Sequence, residues 1–135
     1  MKTKPEIIRP FIQKADHMSP AEILEYIEQN EDVVIIDLRP FEKYMAGHIK
    51  GAINMDRGAV ETDATLKWPN SETKFVLYCV KSGISSMTQL TLKEYGYNNV
   101  IDIEGGIVNF ASQGFPLYNA VGQVKFTEME GVKIA

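Results

Sequence analysis

The chain has little of the chemistry that usually declares a function. It holds one cysteine, Cys79, and two histidines, His17 and His48, among 135 residues. A single cysteine excludes an internal disulfide, a multi-cysteine zinc site and redox chemistry through a cysteine pair within one chain. The two histidines lie far apart in sequence, so no metal centre is expected. Long apolar runs are missing too. No segment approaches the roughly 20 residues of a membrane helix. Near the start Ile7-Ile8 is followed at once by Arg9-Pro10, which is not an export signal. These absences lead us to expect no membrane contact and a cytoplasmic location. Positive charge is not in excess either: 14 Lys and Arg stand against 18 Asp and Glu, a net charge of -4. That removes the electrostatic footprint of a nucleic-acid binder.

What is present is ordinary globular material, 44% apolar and 24% charged, at a length that suits one domain. No repeat or low-complexity segment interrupts it. Ser19-Pro20-Ala21-Glu22 reads as a helix start, with Ser19 as cap, Pro20 in the first turn and Glu22 three residues after the cap. Ile23, Leu24 and Ile27 continue that helix as an apolar stripe that fades near Asn30. Val33 to Ile36 is a wholly apolar, β-branched run, as in a strand buried on both faces of a parallel sheet. Pro40 to Ala46 predicts a short helix stopped at Gly47, and Ala52 to Met55 a weak strand. Asp56 to Thr73 gives no clear pattern beyond a turn at Pro69-Asn70-Ser71.

Phe75 to Tyr78 is a clear strand running into Cys79, a loop of small residues and an amphipathic helix from Ser85 to Tyr95, capped by Gly96. Val100 to Ile103 is a further strand, and Gly105-Gly106 opens a last short helix through Phe110. Strands alternating with helices predict an α/β domain around a mostly parallel central sheet. We place the domain at residues 18–118, with 1–17 as a lead-in and 119–135 as an extension. In that extension Val124, Phe126, Val132 and Ile134 alternate around Glu130-Gly131, which predicts an ordered hairpin packed on the domain's edge or on a second subunit.

A lone cysteine is ordinarily an inert small hydrophobe, but Cys79 has a particular place. Ligands gather outside the carboxyl ends of strands in open α/β sheets. There the loop amides and the start of the next helix favour a negative charge and lower a thiol's pKa, so the location suits a nucleophile.

The residues around it resemble a known family. Asp37-Leu38-Arg39, Phe41-Glu42, Tyr44, Gly47-His48-Ile49 and Gly51-Ala52-Ile53-Asn54 are similar to the first signature of the rhodanese family. Phe75 to Cys79 looks like its active-site strand. Leu92, Gly96-Tyr97, Asn99-Val100, Glu104 to Ile107, Phe110 and Gly114-Phe115-Pro116 resemble its third block. Arg57-Gly58 is similar to small bacterial members that accept sulfur from thiosulfate or polysulfide. The resemblance covers about residues 18–117 and implies the rhodanese-like fold. It also implies a sulfurtransferase, with no metal or organic cofactor, that carries sulfane sulfur as a persulfide on Cys79. The donor would be thiosulfate, polysulfide or a protein, and the acceptor a thiophile. The other reading of the same resemblance is a catalytically silent module that docks a partner.

One departure bears on substrate. The family's active loop resembles Cys-x-x-Gly-x-Arg-Ser. Aligned without a gap, Ser82 stands at the glycine, Ile84 at the arginine and Ser85 at the serine. A gapped alignment through Gly83-Ile84-Ser85-Ser86 would give the longer loop of related phosphatases and arsenate reductases. The ungapped version keeps Leu92, Gly96 and Val100 at family distances from Cys79, and we adopt it. Either way the loop lacks the forked guanidinium that anion recognition uses. Phosphate or arsenate chemistry therefore falls behind sulfur transfer. The implied substrate loop is Val80, Lys81, Ser82, Gly83, Ile84 and Ser85, with Lys81 its only cation, set to meet small sulfur anions or a protein persulfide. The amides of about 80–84 would cradle thiolate and persulfide. Asp37, Arg39 and His48 read as supports of the site, bound by hydrogen bonds or an ion pair, and Trp68 and Tyr78 as packing.

Overall fold

Two β-branched runs and the strand that leads to Cys79 make the centre of the sheet, in an order set by packing. The computed structural model describes residues 1–125. Along the chain run α1 (Lys4–Lys14), β1 (His17–Met18), α2 (Pro20–Gln29), β2 (Val34–Asp37), α3 (Phe41–Ala46), β3 (Ile53–Asn54), α4 (Arg57–Lys67) and β4 (Lys74–Tyr78). Then follow α5 (Gly83–Glu94), β5 (Asn99–Ile103), α6 (Gly106–Ser112), β6 (Leu117–Tyr118) and β7 (Gln123–Val124). Five strands form one sheet in the order β1-β5-β4-β2-β3, parallel at every pairing, and β6 and β7 form a separate antiparallel pair.

β4 lies at the centre with neighbours on both sides, so its side chains alternate between two cores. Val76 and Tyr78 point into one, with Ile23, Ile35, Ile103, Ile107 and Phe110. Phe75, Leu77 and Cys79 point into the other, with Ile36, Leu38, Val60, Leu92 and Val100. Cys79 thus continues the strand's alternation past its last paired residue. Phe75 is held edge-on between Trp68 and Tyr97, with ring centroids 5.3 and 5.1 Å away.

The helix after Ser19 forms as its cap predicts: Ser19 Oγ accepts from the Glu22 amide at 3.2 Å, and the Glu22 carboxylate accepts from the Ser19 amide at 3.0 Å. Elsewhere the structure departs from expectation. Residues 1–17, expected only as a lead-in, hold a whole helix and the first residue of an edge strand. α1 is capped by Thr3, carries Pro10 in its interior, buries no residue fully, and lies along α5. The unpatterned stretch from Asp56 contains α4, capped by the Asp56 carboxylate on the Ala59 amide at 2.8 Å and seated by Val60 and Ala64. In the extension, β7 pairs with β6 across residues 119–122, so a turn comes earlier than the expected one at Glu130-Gly131. Residues 126–135, and with them the rest of that predicted hairpin, lie outside the described residues.

Candidate active site

The turn after β4 is shaped by one strained residue. Ser82 is the only residue other than glycine with a positive φ among those described, at 77°. This is a left-handed conformation that side chains avoid and glycine accepts. Ser82 is buried, and its Oγ donates to the Ile103 carbonyl at 2.7 Å. A serine therefore occupies the backbone conformation that the ungapped alignment reserves for glycine, and a hydrogen bond to β5 offsets the strain. α5 starts at Gly83, two residues before the expected Ser85.

This turn aims the chain at the cysteine. Cys79 is 5% exposed, and its Sγ accepts from the Ser85 amide at 3.4 Å, with the Ser85 hydroxyl also 3.4 Å away. The amide that reaches the sulfur thus comes from the first turn of α5, just beyond the expected 80–84 stretch. Val80 and Ile84 are exposed, at 38% and 46%, and Lys81 is exposed beside them. The loop therefore presents two aliphatic side chains and one ammonium to solvent above a buried sulfur. Its floor is α6. The Ile107 amide donates to the Cys79 carbonyl at 3.0 Å and the Val108 amide to the Val80 carbonyl at 3.2 Å.

Asp37 and Arg39 sit at the end of β2, both buried. Arg39 donates from Nε and Nη2 to Asp37 at 3.0 and 2.7 Å, and from Nη2 to the Gly47 carbonyl at 2.6 Å. Its guanidinium lies 5.9 Å from the Tyr78 ring. Tyr78 Oη in turn accepts from the Ile49 amide at 3.1 Å. His48 stacks on Tyr44 at 3.9 Å and bonds through Nδ1 to the Tyr44 carbonyl at 2.7 Å. The structure thus gathers Asp37, Arg39 and His48 around residues 44–49, beside β4, while Cys79 to Ser85 form the loop itself. Arg57, at the start of α4, donates to Glu61 at 2.5 Å and reaches Met87 Sδ of α5 at 3.4 Å.

Two residues that the sequence reading passed over complete the setting. The Ser85 hydroxyl donates to Asp102 of β5, a carboxylate with no solvent exposure. Asp102 also meets His17 Nδ1 and the Ser86 hydroxyl, the latter at 3.5 Å. His17 Nε2 bonds to the Ile12 carbonyl at 2.7 Å. Burial pushes the Asp102 carboxyl up to about 6, against the pull of its bonds to Ser85 and His17. His17 is pulled downward by burial, but its bonds to Ile12 and Asp102 and the charges of Asp102 and Glu104 outweigh this and leave it raised. The available signal was an acidic residue in the otherwise apolar run Val100-Ile101-Asp102-Ile103.

These shifts fix a sign for stability. Asp102 binds its proton more tightly folded than unfolded. Its contribution is therefore full below about pH 4, the unfolded value, and is lost as pH rises to about 6. That difference between folded and unfolded carboxyl corresponds to on the order of 3 kcal/mol. The raised His17 adds a loss in the same direction as pH rises from about 6.5. Urea unfolding of the wild type should therefore show stability falling between pH 4 and 7, and Asp102→Asn should flatten most of that slope. Parallel slopes in the two proteins would refute the assignment.

The family model of the rhodanese-like domain matches residues 19–113. Among curated proteins, the tRNA uridine(34) hydroxylase of Bdellovibrio bacteriovorus is 28% identical over 105 residues, 72% of this chain and 29% of that protein. The chain thus spans under a third of that relative's length. Among solved structures, the polysulfide-sulfur transferase homodimer of Wolinella succinogenes superposes with a TM-score of 0.71 at 23% identity, covering 85% of this chain and 86% of that one. A thiosulfate sulfurtransferase of Pseudomonas aeruginosa gives 0.70 at 20% identity, covering 88% of this chain and 22% of the other. At these identities the two superpositions show a shared fold. No helix among the described residues is long and apolar enough to cross a membrane.

Proposed function

We propose a sulfur-transfer function for this chain, which belongs to the rhodanese-like domain family, with Cys79 as the sulfur carrier. The observation that carries the reading is Cys79 Sγ held by the Ser85 amide at the start of α5, under a loop open to solvent. The thiolate attacks the outer sulfur of a donor. A Cys79–sulfur bond forms, the donor's S–S bond breaks, and sulfite or a shorter polysulfide leaves with the electron pair. The amide and the helix start favour the anion throughout. An acceptor thiolate or cyanide then attacks the outer sulfur and returns Cys79 as thiolate. No oxidant and no cofactor enter. Asp37, Arg39 and His48 brace the segment beside β4 and do not touch the sulfur.

The rim supports a preference. With Ile84 where the family carries arginine, the opening has no fork for a dianion. Polysulfide or a protein persulfide therefore suits it better than thiosulfate. Intact mass after incubation with polysulfide should rise by one sulfur, a gain reversed by cyanide and absent in Cys79→Ser. Ile84→Arg should then improve thiosulfate use over polysulfide use. One charge-assisted contact is worth about 1.5–3 kcal/mol, or roughly one to two decades in relative kcat/KM. No mass gain from any donor, in wild type or Ile84→Arg, would favour the silent docking module.

A further inference from the structure

The buried bonds behind Cys79 form a chain: Cys79 Sγ, Ser85 Oγ, Asp102 Oδ2, Asp102 Oδ1, His17 Nδ1 and His17 Nε2, ending on the Ile12 carbonyl. We propose that Asp102 is a positioning residue that receives, through Ser85, the proton Cys79 gives up when it becomes a nucleophile, with His17 fixing the far side of the carboxylate. The proposal takes its purpose from the sulfur-transfer reading, but its chemistry concerns the thiol alone.

The Ile12 carbonyl can only accept, so Nε2 of His17 carries a hydrogen. The contact between Nδ1 and Asp102 then needs one proton of its own, which makes imidazolium facing carboxylate one of its two forms. Ser85 has a single hydroxyl hydrogen and two anionic neighbours in prospect, the Cys79 thiolate and the Asp102 carboxylate. It can serve only one of them. While Cys79 is a thiol, S–H faces the Ser85 oxygen and the Ser85 hydrogen faces Asp102. When the thiol ionises, its proton moves to Ser85 as the Ser85 hydrogen moves to Asp102. The S–H bond breaks and the carboxyl O–H forms. The negative charge passes from Asp102 to the sulfur, with no change in the net charge of the buried network. When the persulfide later delivers its outer sulfur, the reverse transfer returns the proton to the departing thiolate.

The surroundings suit a proton held in reserve. Asp102 has no exposure, and its raised carboxyl lies near neutrality. From β1 it is faced by His17, from α5 by Ser85 and Ser86, and from the end of β5 by the Glu104 charge acting on His17. The nearby Asp16 and Lys93 are paired with each other, and Gln89 satisfies the Asp16 backbone.

Two acids that share a proton titrate as a coupled pair, in two apparent steps. The test is the rate of Cys79 alkylation by iodoacetamide as a function of pH. Wild type should show two steps, the lower near the Asp102 value of about 6. Asp102→Asn and Ser85→Ala should each show one. At pH 7 Ser85→Ala should react roughly tenfold more slowly, the ratio that one unit of coupling represents. His17→Gln should move the lower step upward, since the ring's bond and charge favour the carboxylate. A measurement without variants repeats the test: the Asp102 carboxyl carbon shift should lose the step it shares with Cys79 once the sulfur is alkylated, keeping the one it shares with His17. A single-step wild-type profile that superposes on that of Asp102→Asn, or a carboxyl titration unchanged by alkylation, overturns the proposal. Sulfur loading with a single-step profile removes the relay and leaves the sulfur-transfer reading standing. A two-step profile without sulfur loading does the opposite.

Discussion

Gly106→Ala should unseat the loop that follows Cys79. Gly106 has φ 65°, and a Cβ built on it would stand 2.3 Å from the Val80 oxygen, 2.5 Å from its carbon and 2.7 Å from the Lys81 nitrogen. Those are backbone atoms, so no rotamer change relieves the contact. Either the loop lifts or α6 withdraws, and both break the bonds from Ile107 and Val108 to the Cys79 and Val80 carbonyls. The left-handed conformation costs about 1–2 kcal/mol for a residue with a Cβ, and the overpacking a further 1–3 kcal/mol or so. A loss of about 2–5 kcal/mol in chemical denaturation is expected. Sulfur loading of the fraction still folded should slow on the order of 100-fold, the scale of a 1 Å misplacement. Wild-type stability together with wild-type loading would show that the loop does not rest on α6.

Removal of the Asp37 carboxylate should be as damaging by a different route. Asp37 and Arg39 are both buried, and the carboxylate accepts from the Arg39 side chain and from its backbone amide at 2.9 Å. Asp37→Ala leaves a buried guanidinium without that countercharge, a loss of about 3–5 kcal/mol for a broken buried pair. Replacing both residues, Asp37→Leu with Arg39→Met, should recover much of it, because the desolvation of two charges disappears along with their attraction. Denaturation midpoints of the single and double variants decide the matter. A double variant no better than Asp37→Ala would mean that the other bonds of Arg39, that to the Gly47 carbonyl among them, hold the corner, and not its pairing with Asp37.

The contrast between these positions and the missed ones shows what a sequence can carry. Ser19 and Glu22 act three residues apart, so their capping box was legible, and Val33 to Ile36 announced a strand by composition, though only its later residues are buried. Cys79 was readable because strand, small-residue loop and helix follow one another along the chain. α1 was not: it buries no side chain fully, has Pro10 in its interior, and owes its place to α5, more than 70 residues onward. α4 left only Asp56, Val60 and Ala64 as its trace, too few apolar residues to mark a period. The Asp102 network was the least legible. His17 and Asp102 are 85 positions apart, and parallel pairing at the sheet edge alone makes them neighbours. Ser82 lay in between: the alignment set it at a glycine position, but its bond to Ile103 is a property of the folded turn.

That edge pairing also orders events while the chain is being made. Among the described strands β1 bonds to β5 alone. At a synthesis rate of about 5–20 residues per second, the 85 residues between His17 and Asp102 take roughly 4–17 s to appear. Ser85 itself precedes Asp102 by 17 residues. Until β5 emerges, the nascent chain carries a thiol with no closed loop around it and no carboxylate behind it. Arrival of that one strand completes the sheet edge and sets Asp102 behind Ser85 and the sulfur in the same step.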